Sequence, residues 1–181
     1  MLAVVPGIDK LRFFAILSNK LPPEHRRARR RVEDSRAMFR KLTDKLYASP
    51  QIGLADVAEA RAMGVALIVN NRPEDESDDQ LPGPEIEAAA RAAGIDYVAI
   101  PVTHSGFSHP QLDALNAALE RAGEAPVLAY CRSGTRSTLL WALARAKAGE
   151  SPGALASAAA AAGYDTGPVR AMMDALAGGK A

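Results

Sequence analysis

Two rhythms of apolar and polar positions run along this chain, and the changes between them mark its elements. From Met38 onward, short apolar runs rich in β-branched residues, VALIV at 65–69, IDYVAIPV at 95–102 and PVLAYC at 126–131, alternate with longer alanine-rich stretches. VALIV is apolar throughout, the pattern of a strand covered on both faces. The stretches between are helical. GLADVAEARAMG predicts a helix closed by Gly64, and PEIEAAARAAG one with Pro84 in its first turn and Gly94 at its end. PQLDALNAALERAG predicts a third, and TRSTLLWALARAKAG a fourth whose apolar residues recur at helical spacing. FRKLTDKLYAS predicts a short strand or hairpin ahead of them. Such alternation implies βαβ units, and so an α/β fold: three layers, with a mostly parallel central sheet flanked by helices. Two further helical patterns follow Ser151, each opened by Ser/Pro or Thr/Gly/Pro and closed by glycine, and they are expected to pack on the sheet.

Length and charge add a boundary to this picture. The 181 residues are enough for one ordinary domain with something appended. Residues 1–37 hold nine Lys/Arg against four Asp/Glu, whereas residues 38–181 hold 13 against 17, so two differently composed pieces meet near Met38. The first is expected to be a basic N-terminal extension and the second, 38–181, the catalytic domain. EHRRARRRVEDSR is basic enough to grip nucleic acid or an anionic membrane, but such runs are usually solvated faces or frayed tails, and neither partner is expected here. The opening residues are interrupted by Lys10 and Arg12 and lack the small-residue cleavage site of a secretory signal. The single cysteine forms no internal disulfide, and no stretch reaches the roughly 20 apolar residues that span a bilayer, so a cytoplasmic location is expected.

The chemistry concentrates in CRSGTRS, residues 131–137, where a strand turns into a helix. In an open α/β sheet ligands bind at the carboxyl ends of the strands, and such a turn points several backbone N–H groups into one concavity. A thiol at the last strand position meets those dipoles, the positive end of the helix and the Arg136 guanidinium, all of which favour thiolate. Cys131 is therefore the expected nucleophile and Arg136 the stabilising fork. Arg132, Ser133, Gly134, Thr135 and Ser137 make the anion-binding loop, with Gly134 supplying backbone freedom and Ser137 or Thr138 a hydroxyl for the sulfur. A buried, inert cysteine beside a surface arginine is the blander reading, which the company of Gly, Arg and Ser at one turn outweighs.

Three segments also carry a family likeness: residues 38–76 (MFRKLTDKLYASPQIGLADVAEARAMGVALIVNNRPEDE), AARAAGIDYVAIPV and APVLAYCRSGTRSTLLWALA. They resemble the bacterial phosphatase-like domain named for beta-lactamase hydrolase-like proteins, from Met38 to about Gly179. The resemblance implies the fold of dual-specificity protein tyrosine phosphatases and leaves residues 1–37 outside.

Loop length points elsewhere. The protein tyrosine phosphatase signature places five residues between Cys and Arg, whereas four intervene here, and CRSGTRS is similar to the six-residue active loop of rhodaneses, which carries a persulfide. A single sulfur needs a smaller nest than a tetrahedral phosphate. Phosphomonoester cleavage also wants a general acid, yet the loop after the strand at 95–102 holds no carboxylate; His104 is its candidate, with His109 a weaker one. Glu74, Asp75, Glu76, Asp78 and Asp79 read as a solvated acidic loop, and Arg72 either binds an anion or ties that loop down. Asn70 and Asn71 read as turn or cap residues, Trp141 as core, and Tyr130 as facing away from the site.

The expected activity is thus that of a cysteine-nucleophile enzyme acting on a small anionic or sulfane-sulfur substrate. Sulfur transfer comes first, phosphomonoester hydrolysis second, and a non-catalytic anion-binding module third. No cofactor or metal is expected: the scattered histidines lack metal-ligand spacing, and no nucleotide-binding motif is present.

Overall fold

The computed structural model describes residues 38–179. The basic segment 1–37 lies outside the described residues.

A hairpin opens the domain, with β1 (Arg40–Lys41) antiparallel to β2 (Leu46–Ser49). The chain then alternates: α1 (Leu54–Ala62), β3 (Leu67–Asn70), α2 (Gly83–Ala92), β4 (Asp96–Ala99), α3 (His109–Ala122), β5 (Val127–Tyr130) and α4 (Thr135–Ala148). It closes with α5 (Pro152–Ala161), a 3-10 turn at Gly167–Val169 and α6 (Arg170–Gly178). The strand order is β1-β2-β5-β3-β4, and every pair except β1–β2 is parallel. The expected three-layer α/β arrangement is what forms.

Register decides where the site lies. Tyr130 of β5 pairs with Ser49 of β2 on one side and Asn70 of β3 on the other, and Asn70 pairs in turn with Ala99 of β4. Four parallel strands therefore end level. The residues that follow them, Pro50, Cys131, Asn71 and Ile100, leave the sheet along one edge, with Cys131 at its centre.

All four residues of β3 and of β5 are buried, because helices cover both faces. On one face Ile68, Leu128 and Tyr130 pack with Val57 and Ala60 of α1 and with Ile86 and Ala90 of α2. On the other, Val69, Val127 and Ala129 meet Leu112 and Leu115 of α3 and Leu139 to Ala144 of α4. Helix α4 departs from the amphipathic pattern expected of it, since every residue from Ser137 to Ala144 is buried. A helix apolar all round needs cover on each side. The sheet supplies one side and α3 another, and the tail helices α5 and α6, expected to pack on the sheet, pack on α4 instead. Burying Leu140 and Leu143 in this way contributes about 1.5–3 kcal/mol each.

Local chemistry sets the helix starts. The Asp56 carboxylate accepts the Gly53 N–H at 2.8 Å to open α1, and the Gln111 side chain accepts the Ser108 N–H at 2.8 Å to open α3.

Candidate active site

Cys131 follows the last residue of β5, and its own N–H donates to the Ser49 carbonyl at 3.3 Å, which extends the sheet by one bond. Its side chain alternates with that of Tyr130 and so points toward α4. Between them the chain reverses through residues 132–134. Gly134 caps α4 with φ +87°, a left-handed conformation that a residue bearing a Cβ adopts only at a cost. This conformation turns the Gly134 N–H onto the Cys131 sulfur, at 3.1 Å. The next amides, of Arg136 and Ser137, belong to the first turn of α4 and have no carbonyl four residues back within the helix. Sulfur, glycine amide and helix start thus form one small nest. Cys131 is only 1% exposed and lies at its floor.

Arg132, Ser133 and Thr135 are exposed on the outer rim, with the Ser133 hydroxyl donating to that of Thr135 at 3.1 Å. Ser137 is buried with its hydroxyl unpartnered among the described residues. Thr138 does not serve the sulfur: its hydroxyl donates to the Gly134 carbonyl at 3.0 Å and steadies the turn instead.

Arg136 reaches sideways along the sheet edge. One terminal nitrogen donates to the Val102 carbonyl at 2.9 Å, and the other lies 2.7 and 2.8 Å from the two Glu76 oxygens. Arg72, only 4% exposed, sits on the far side of the same carboxylate. Its Nε donates to Glu76 at 2.8 Å, while its terminal nitrogens donate to Gln51 at 2.8 Å and to Ser77 at 2.7 Å. The two guanidiniums therefore share one carboxylate that is itself 16% exposed. The hydrogen bond from Arg136, followed by that from Arg72, holds the Glu76 carboxyl below its ordinary value against the opposing effect of burial. Glu76 is a fixed anion.

Of the expected site residues, then, 131–137 come together and Arg72 joins them through Glu76, in its loop-tying role. His104 is exposed in the loop after β4 and makes no hydrogen bond or ion pair among the described residues. His109 begins α3 and lines an open cleft of about 530 Å³ with Lys147, Met172 and Leu176. Asn70 and Asn71 act as turn residues: the Asn70 side chain accepts the Arg72 N–H at 2.8 Å, and that of Asn71 donates to the Ile100 carbonyl at 2.9 Å. Tyr130 faces the opposite layer, its hydroxyl 3.3 Å from that of Tyr97, and Trp141 is core.

Three residues escaped the sequence reading. Glu76 looked like one of five interchangeable carboxylates, although its spacing of four from Arg72 was a usable signal. Gln51 carried no signal. Neither did Tyr164, whose hydroxyl approaches the Ser133 carbonyl at 3.5 Å. Among the described residues no group of three or more His, Cys, Asp or Glu side chains is arranged to hold a metal, and no helix is long and apolar enough to cross a membrane.

A cysteine at the carboxyl end of a central parallel strand, capped by a helix start and followed five residues later by arginine, defines a phosphatase-like cysteine enzyme. The chain belongs to the family described as beta-lactamase hydrolase-like protein, phosphatase-like domain, whose model matches residues 38–148. That match ends with α4, short of the Gly179 limit expected from the resemblance. The beta-lactamase hydrolase-like protein of Agrobacterium fabrum is 33% identical over 106 residues, which are 59% of this chain and 24% of that longer protein. A candidate phosphatase from Neisseria meningitidis superposes with a TM-score of 0.67 at 33% identity, covering 77% of this chain and 98% of that one. TpbA of P. aeruginosa, solved in complex with phosphotyrosine, shares the fold at 18% identity, with a TM-score of 0.57 over 80% of this chain and 91% of that one.

Proposed function

We propose that this domain transfers sulfane sulfur through a persulfide on Cys131. The observation that carries the reading is the engagement of Arg136 by Glu76 beside a nest one residue shorter than that of the phosphatases. A phosphate dianion gripped by Arg136 would have to share it with a carboxylate. At about 6 Å and an effective dielectric near 20, that repulsion is about 3 kcal/mol per unit of charge, which a dianion meets twice over and a neutral persulfide R–S–SH does not meet. The same carboxylate is held ionised, so it has no proton for a departing alkoxide. Sulfur transfer needs neither the dianion site nor the acid.

In the proposed cycle the Cys131 thiolate attacks the outer sulfur of a donor R–S–SH. A new S–S bond forms as the donor's S–S bond breaks, and R–S⁻ leaves with the electron pair. The enzyme-bound Cys131–S–SH then gives its terminal sulfur to an acceptor nucleophile. With cyanide the products are thiocyanate, the regenerated thiolate and a released proton. The Gly134 N–H stabilises charge on the sulfur as it departs and returns. The test is turnover: thiocyanate formation from a glutathione persulfide donor and cyanide, set beside release of phenolate from an aryl phosphate. Sulfur turnover exceeding phosphate turnover supports the reading; phosphate turnover with no thiocyanate refutes it.

A second reading, phosphomonoester hydrolysis through a cysteinyl-phosphate, draws support from the fold shared with TpbA, whose structure holds phosphotyrosine. It requires Arg136 to release Glu76 when substrate arrives.

A further inference from the structure

We infer that Tyr164 is a positioning residue for the Cys131 sulfur, acting through the peptide that joins Ser133 to Gly134. That peptide has two polar ends pointing opposite ways. Its N–H, on Gly134, donates to the Cys131 sulfur at 3.1 Å. Its carbonyl, on Ser133, faces the Tyr164 hydroxyl at 3.5 Å, the outer limit of a hydrogen bond. Tyr164 also fills the space a side chain would take at position 134, since a Cβ there would overlap the hydroxyl oxygen.

The need for such a strut follows from Gly134 itself. A glycine at φ +87° gives its peptide little steric reason to prefer one orientation. If this peptide flipped, its carbonyl would replace its N–H over the sulfur, and an attraction would become a repulsion. The tyrosine hydroxyl opposes that flip twice, by holding the carbonyl outward and by occupying the space beside the glycine. Hydrogen bonds at the two ends of one peptide also polarise each other, so the outer contact strengthens the inner one.

Tyr164 is itself fixed. It is buried, its N–H donates to the Ala159 carbonyl at 2.9 Å, and the Arg40 guanidinium lies 5.2 Å from its ring centre. Arg40 in turn donates to the Ala162 carbonyl at 3.2 Å, tying β1 to the segment after α5. The strut therefore comes from beyond the 38–148 region that the family model matches.

This inference rests on the reading of Cys131 as the reacting sulfur, and the experiment separates the two. The rate of Cys131 alkylation by iodoacetamide, a small neutral probe, is followed from pH 4 to pH 10 in the full chain and in Tyr164→Phe. Tyr164→Phe, which keeps the ring and loses only the hydroxyl, should slow alkylation at neutral pH by roughly three- to tenfold, with an unchanged melting temperature, because one charge-assisted hydrogen bond is weakened. A Tyr164→Phe curve superposing on wild type overturns the role of Tyr164 while leaving Cys131 intact. A wild-type protein that takes up no sulfur on Cys131 from glutathione persulfide refutes the nucleophile, and the strut with it. Sulfur-loaded enzyme gives a second readout: in Tyr164→Phe the kcat for thiocyanate release should fall with little change in KM, whereas simple loss of packing would move the melting temperature instead.

Discussion

Replacing Glu76 by glutamine removes the charge on which the site's cations converge while keeping the shape of the side chain. In the native arrangement Arg72 and Arg136 each donate to it at 2.7–2.8 Å. Breaking a buried ion pair outright costs about 3–5 kcal/mol, since the partner is left charged in a poorly solvated place. Two features lower that figure here. The amide oxygen of glutamine still accepts one bond, and Arg136, 23% exposed, reaches water. Arg72 gains no such relief beyond its bonds to Gln51 and Ser77. The expected loss is therefore about 2–3 kcal/mol, or roughly 5–10 °C in melting temperature for a domain of this size. It should also depend on pH in a defined direction. Because the folded state holds the Glu76 carboxyl below its ordinary value of 4.5, the stabilisation is complete above that value and disappears as pH falls through the lower, folded one. Urea melts of wild type and Glu76→Gln at pH 7 and at intervals below pH 5 would measure it. The reasoning fails if the two proteins are equally stable at pH 7, or if the gap persists unchanged to low pH.

Further outcomes follow from the same geometry. Glu76→Gln should bind vanadate, a tetrahedral oxyanion, at least tenfold more tightly than wild type does, because Arg136 is released and one negative charge is gone; isothermal titration would show it. Cys131→Ser should abolish sulfur turnover by more than a thousandfold while leaving the melting temperature within about 2 °C, as thermal denaturation beside the thiocyanate assay would reveal. Gly134→Ala should cost about 1–2 kcal/mol for the left-handed backbone alone, and more because its Cβ would press on the Tyr164 hydroxyl, a sum readable from urea melts. Deleting residues 1–37 should leave the melting temperature and turnover of the remaining domain unchanged.

The parts of this molecule that read directly from sequence are those whose determinants lie close together in the chain. Buried strands announce themselves through runs such as VALIV, and helices through their caps, so β3, β5 and α1 to α4 fall within a few residues of expectation. The nest is legible for the same reason, since Cys131, Gly134 and Arg136 occupy one turn. Strand order is different. That β5 inserts between β2 and β3 depends on which faces the helices cover, a global packing outcome that no local pattern encodes. The burial of α4 on every side likewise becomes visible only once α5 and α6 have folded over it. Glu76 was marked among neighbouring acids only by its spacing of four from Arg72, because its other partner, the Arg136 guanidinium, lies 60 residues away. Tyr164 is 31 residues from the peptide it touches and belongs to no motif.

Intact-mass measurement of the protein after exposure to glutathione persulfide tests the central claim most directly. Wild type should gain the mass of one sulfur atom, located by peptide mapping to Cys131, and lose it on addition of cyanide, while Cys131→Ser gains nothing. A wild-type protein that stays unmodified by the persulfide, yet traps a phosphoryl group on Cys131 from an aryl phosphate, would contradict the account.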